Sequence, residues 1–85
     1  MNELELKEST HEHVIYFYRP EGRGTRGEIR MNIGEDKAVV VLRASEDHGA
    51  GVGYYAFKAT KAVVEAVEEC LEERNFPLKF IQAWY

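Results

Sequence analysis

His11 and His13 stand two positions apart, a spacing that puts two imidazoles on one face of an extended strand and suits a pair of metal ligands. A metal would need a further donor, which His48 or a nearby carboxylate would have to bring from elsewhere in the chain. No second ligand motif accompanies the pair, so solvated histidines are the simpler reading and no metal is assigned. Ser45, Asp47 and His48 have the residue types of a hydrolytic triad, but a triad works by convergence in space, which near-consecutive residues do not provide. Cys70 is the only cysteine, which excludes an internal disulfide and suits a reducing compartment. It falls on the inward stripe of a helix and reads as packing rather than as a reactive thiolate. On these grounds no catalytic residue is assigned, no cofactor is expected, and an enzyme is the less favoured class.

Binding chemistry is better represented. Arg19, Arg23, Arg26 and Arg30 surround the glycine-punctuated segment 20–27, beside Tyr16 and Tyr18. Guanidinium groups and aromatic rings at a hairpin tip can contact phosphates and stack on unpaired bases, so the Arg19 to Arg30 segment is a candidate nucleic-acid finger. The net charge of −4, with Glu21 and Glu28 in the same segment, favours a solvated loop instead, or a meeting with an acidic protein.

A second candidate lies further on. His48-Gly49-Ala50-Gly51-Val52-Gly53 runs directly into a helical pattern that carries Lys58 and Lys61 in its early turns. Backbone N–H groups at a glycine-rich helix start cradle anions, which makes His48, Gly49, Gly51, Gly53, Lys58 and Lys61 an anion-binding candidate. The same helix crowds Glu65, Glu68, Glu69, Glu72 and Glu73 into its later turns, the reverse of what the macrodipole favours. A solvated face with Lys61 and Glu65 as an i,i+4 pair is the plainer explanation. The glycine segment, set between an apolar strand and a helix, resembles the Gln/Arg-x-x-Gly-x-Gly/Ala pyrophosphate loop of acetyl-CoA-dependent N-acetyltransferases. The resemblance covers less than half the chain; His48 stands where that family has Gln or Arg, and the helix expected here is about two turns longer. It implies binding of an acyl-CoA or another phosphate-bearing ligand at residues 49–53.

The elements that must position these groups follow from periodicity. Residues 2–7 alternate with Leu4 and Leu6 inward and read as a short strand, followed by a turn at 8–11. Residues 13–19 are aromatic and β-branched and end at Pro20, the mark of a second strand. Segment 20–27 reads as a mobile connection. Residues 28–33 alternate strictly, placing Ile29, Met31 and Ile33 on the core side. A turn at 34–37 leads to the unbroken apolar run 38–43, which reads as a strand covered on both faces near the centre of the sheet. Residues 44–53 form a loop. The helical spacing of Ala59, Val63, Val67, Cys70 and Leu71 predicts a helix from about Tyr55 to Arg74, stopped by Asn75 and Pro77. Residues 78–85 form a closing strand.

These elements predict one α+β domain over residues 1–85: a four- or five-stranded antiparallel meander sheet packed on one face by a single long helix, followed by a C-terminal strand beside an earlier one. The longest apolar run, 38–42, is far short of the roughly 20 residues of a membrane helix, so no membrane partner is expected. The start of the chain has neither a basic stretch nor an apolar one, which excludes a secretory signal and predicts a cytoplasmic protein. One helix shelters only one sheet face, and the strands are apolar on both, so the expected excess is a contact surface. The function this favours is a small non-enzymatic regulatory or inhibitory protein that binds a macromolecular partner or self-associates through an apolar sheet face. Tyr16, Tyr18 and Tyr85 would be its anchors, and Arg23 and Arg26 would orient it. Nucleic-acid binding through the arginine hairpin and acyl-CoA or phosphate binding at the glycine loop are the alternatives.

Overall fold

The computed structural model describes residues 1–47 and 53–84. Five strands, β1 (Asn2–Ser9), β2 (His13–Pro20), β3 (Gly27–Asn32), β4 (Ala38–Leu42) and β5 (Lys79–Gln82), form one antiparallel sheet, with helix α1 (Tyr54–Glu69) between β4 and β5. The order across the sheet is β4-β3-β2-β1-β5. The first four strands are therefore a meander, and α1 carries the chain back across it so that β5 adds beside β1, the arrangement expected from the sequence.

The core lies between the sheet and α1. Leu4, Val14, Tyr16, Tyr18, Ile29 and Met31 point into it from the strands, against Ala56, Ala59, Val63 and Val67 of the helix. The small residues let the helix come close enough for Tyr16 and Tyr18 to fit beneath it. Tyr16 donates to the carbonyl of Pro77 at 2.6 Å and meets Phe80 edge-on at 5.6 Å, which ties the closing segment to β2. Asn2, fully buried, donates to the carbonyl of Tyr55 and to Gln82, each at 3.0 Å, while Gln82 donates to the carbonyl of Lys58 at 2.8 Å. This polar clasp locks β1, β5 and the start of the helix together.

Four expectations need correction. β1 runs to Ser9 and pairs on both sides, so a strand expected to be short is internal; a bulge between Leu6 and Glu8 shifts its register against β2 and lets the pairing continue to Ser9. The helix ends at Glu69 rather than Arg74, since acidic side chains crowd its carbonyl end, where the dipole needs cations. The chain then turns out through Arg74, in the left-handed region at φ 54°. The segment after β2 is tied down instead of being a free finger: Thr25 N–H donates to Ser45 Oγ at 2.8 Å and Ser45 N–H to the carbonyl of Thr25 at 3.2 Å. Finally, β4 is an edge strand and not a central one.

Candidate functional site

The sheet face away from α1 was expected to be an oily surplus anchored by tyrosines; among the described residues it keeps exposed apolar side chains only toward its two edge strands, at Val39 and Leu42 of β4 and Ile81 of β5. Tyr16 and Tyr18 alternate onto the helix side and are 0% exposed, so they cannot anchor a partner on the second face. Ile15 and Phe17 do point to that face, and the chain's own charges cover the Phe17 ring. The Arg26 guanidinium lies 3.8 Å above the Phe17 ring and pairs with Glu5, while Lys7 reaches Glu28 at 2.8 Å from 5.6 Å above the same ring. Arg19 lies 3.9 Å from Glu3. Strand neighbours account for this: Phe17 sits opposite Glu5 on one side and Glu28 on the other, so each carboxylate brings a cation over the ring. Of the proposed anchors, Arg23 is exposed at the hairpin, Arg26 is committed to Phe17 and Glu5, and Tyr85 lies outside the described residues.

The glycine-loop candidate divides in the same way. His48, Gly49 and Gly51 lie outside the described residues. Gly53 caps α1 with no side-chain bond of its own, and the helix has no acid in its first turn. Asp47 fills that role from the preceding loop. Its buried carboxylate accepts from Tyr55 N–H at 3.1 Å and Ala56 N–H at 2.9 Å, and the Tyr18 hydroxyl donates to it at 2.8 Å. Tyr18 in turn accepts from Ala44 N–H at 3.0 Å. Two of the free amides of the helix start, those of Tyr55 and Ala56, are thus already bound to an internal anion. A Cβ at Gly53 would fall 2.4 Å from Asp47 Oδ2, so only glycine lets the carboxylate approach this closely. Lys58 and Lys61 lean on rings instead of the loop: Lys58 is 5.8 Å from Tyr54 and 5.7 Å from Trp84, and Lys61 is 4.6 Å from Phe57.

Of the candidate metal ligands, His48 lies outside the described residues. His13 Nε2 lies 2.6 Å from Glu8 Oε2, and this bond holds the Glu8 carboxyl below the usual carboxylate range. His11 is exposed, and among the described residues no three His, Cys, Asp or Glu side chains come together as metal ligands. Burial pushes the hydroxyls of Tyr16 and Tyr18 up to about 12, which keeps both neutral as hydrogen-bond donors over the ordinary pH range.

Two features escaped the sequence reading. At the start of α1, the rings of Tyr54, Tyr55 and Trp84 pack with centroids 5.7 to 5.9 Å apart, lining an open cleft of about 530 Å³ with Glu21. Tyr55 donates to Glu21 Oε2 at 3.1 Å, and Glu21 holds a left-handed backbone at φ 52° in the turn after β2. The amino terminus also pairs with Glu21 and holds its carboxyl below the usual range. Residues 54 and 84 are too far apart in sequence for periodicity to connect them. The cleft offers ring faces for stacking, with its carboxylate already satisfied.

The other feature is β4 itself. Val39, Val40, Val41 and Leu42 are 53%, 43%, 58% and 52% exposed, and among the described residues no strand pairs with their outer edge. The sequence signal was present as an apolar run, but such a run reads equally as a buried central strand. Beside β4, a groove of about 320 Å³ separates it from α1, lined by Ala38, Thr60, Lys61 and Val64. Comparison of the chain with protein-family models, with curated proteins and with solved structures gives no match.

Proposed function

We propose that this is a small non-enzymatic regulatory or inhibitory protein that acts by binding a macromolecule, with the edge strand β4 as its contact surface. One observation carries the reading: four consecutive apolar side chains, each about half exposed, on a strand whose outer edge has no partner among the described residues. A strand edge presents a row of N–H and C=O groups ready to pair, and natural sheets blunt such edges with charges or proline. Here Lys37 and Arg43 flank the run, but nothing charged interrupts it. A partner strand would gain main-chain hydrogen bonds and cover the valines at once.

Magnitude limits what this edge does alone. Completing the burial of four half-exposed aliphatic side chains contributes about 3–6 kcal/mol, using roughly 1.5–3 kcal/mol for a whole one. Association costs about 4–15 kcal/mol in lost freedom. The edge therefore needs additional contact, and the groove beside α1 is where it is available. The nucleic-acid alternative is less well supported, because Arg26 and Arg19 already face carboxylates of β1. The phosphate alternative is weakened by Asp47, which holds the helix-start amides.

The test compares the wild type with a Val39→Lys, Val41→Lys variant as baits for affinity capture, and both proteins by sedimentation velocity. The expected result is an association, with itself or with another macromolecule, that the folded variant lacks. A wild type that sediments as a monomer and captures nothing the variant does not also capture would refute the reading.

A further inference from the structure

We infer that the occupant of this edge is a second copy of the chain, placed by a two-fold axis that pairs β4 with β4 and α1 with α1, each antiparallel. This rests on the reading of β4 as the contact surface and adds the identity of the partner. The helix presents a self-complementary flank beside β4. Thr60, Lys61 and Val64 line the groove toward β4, Ala62, Ala66 and Glu69 face the β5 side, and Glu65, on the crest between them, borders both. Helical spacing adds Phe57 and Glu68 to the β4 flank, so that its outward side reads Phe57, Lys61, Val64, Glu68. Phe57 is 51% exposed, with the Lys61 ammonium 4.6 Å over its ring.

That order is antisymmetric in charge. A two-fold axis near Val64 sets Val64 beside its own copy and brings Lys61 of each protomer to Glu68 of the other. The arrangement that opposes the helix's own dipole, with cations early and acids late, is therefore the one that favours an antiparallel helix pair. The strands fit the same operation. An axis perpendicular to the sheet through β4 generates an antiparallel β4 pair and keeps both helices on one side, flanking the seam. The run 38–42 itself carries no charge; the like charges of Lys37 and Arg43 meet only at the two solvent-exposed ends of a pair centred on Val40. Sheet and helix contacts thus close together, supplying the area that the strand edge lacks by itself.

The experiment measures the dimerisation constant by sedimentation equilibrium for the wild type, Val40→Lys, Lys61→Glu, Glu68→Lys and the double variant Lys61→Glu, Glu68→Lys. Circular dichroism confirms that each is folded. The wild type is expected to dimerise and Val40→Lys to sediment as a folded monomer. Each single charge variant creates two like-charge contacts per dimer and weakens dimerisation by about tenfold, and the double variant restores it. Residues 61 and 68 are two turns apart on one helix, roughly 10 Å, so they do not pair directly within a protomer, and repeating the set with Glu65→Gln removes any relay through the residue between them. If the wild type is monomeric at every concentration, or the double variant is no tighter than the single ones, the inference is overturned. A monomer whose bait still captures a macromolecule that Val40→Lys does not would overturn the second-copy assignment and leave the partner-binding reading standing. A monomer without any β4-dependent capture would remove both.

Discussion

Replacing Asp47 should destabilise this protein more than any other single change of a charged side chain. The carboxylate is fully buried and accepts three hydrogen bonds, from Tyr18 at 2.8 Å, Ala56 N–H at 2.9 Å and Tyr55 N–H at 3.1 Å. In Asp47→Ala a phenol and two helix-start amides lose their partner inside the protein, and the helix loses its compensating charge. Buried donors left unpaired cost about 1–3 kcal/mol each, and partial rehydration brings the sum to about 3–5 kcal/mol. Asp47→Asn keeps the shape and one acceptor but removes the charge and turns an amide toward donors, which costs about 1–3 kcal/mol. For a domain whose whole stability is typically about 5–15 kcal/mol, the alanine variant sits near the folding threshold. Urea unfolding followed by far-ultraviolet circular dichroism should show the asparagine midpoint lowered with an unchanged slope. Tyr18→Phe removes the donor to Asp47 and strands Ala44 N–H, so in a double-mutant cycle it should couple to Asp47→Asn by about 0.5–3 kcal/mol. An asparagine variant within about 0.5 kcal/mol of the wild type would show that Asp47 does not hold the helix start.

Other consequences follow from the same packing. At Gly27 an added Cβ would lie 2.2 Å from the Tyr18 ring and 2.6 Å from the backbone of Leu42 and Ala44; Gly27→Ala should therefore cost about 2–3 kcal/mol in urea unfolding, and a neutral result would contradict the close strand approach. Tyr16 and Tyr18 titrate at about 12 when folded, against about 10 in an unfolded chain, so the stability from their neutral forms is complete below pH 10 and declines as pH rises toward 12. Unfolding midpoints measured across that window should fall, with a loss on the order of 2 kcal/mol per tyrosine, and Tyr16→Phe should fall less steeply; flat curves would argue against burial of the hydroxyls. Arg74→Gly relieves a left-handed residue at φ 54° and should raise stability by about 0.5–1 kcal/mol by the same assay. A lower midpoint would mean that the arginine side chain contributes more than its backbone costs.

Much of the fold was written in local patterns. The alternation of residues 28–33 and the aromatic strand that stops at Pro20 fix a face and a boundary without reference to anything distant, and both strands form where expected. The Ala and Val spacing of α1 likewise fixes its buried stripe. The failures were at places where a second element decides the outcome. The run 38–42 has no period, so it fits a central strand and an edge strand equally, and only the strand order made it an edge. Whether Phe17 was exposed depended on cations from Lys7 and Arg26, which reach its ring across two neighbouring strands.

The candidate site divides along the same line. Residue order alone set the reversed charges of the helix, the uncharged valine run and the lack of an acid in the first helical turn, because these are properties of neighbours along one chain. Tertiary structure alone decided that Asp47 supplies the missing acid, that Tyr54 and Tyr55 meet Trp84, and that the valine run lies outermost beside the charged flank of α1. The physical reason is range: propensity and periodicity act over a few residues, whereas burial, charge pairing and edge exposure depend on what the folded chain brings alongside.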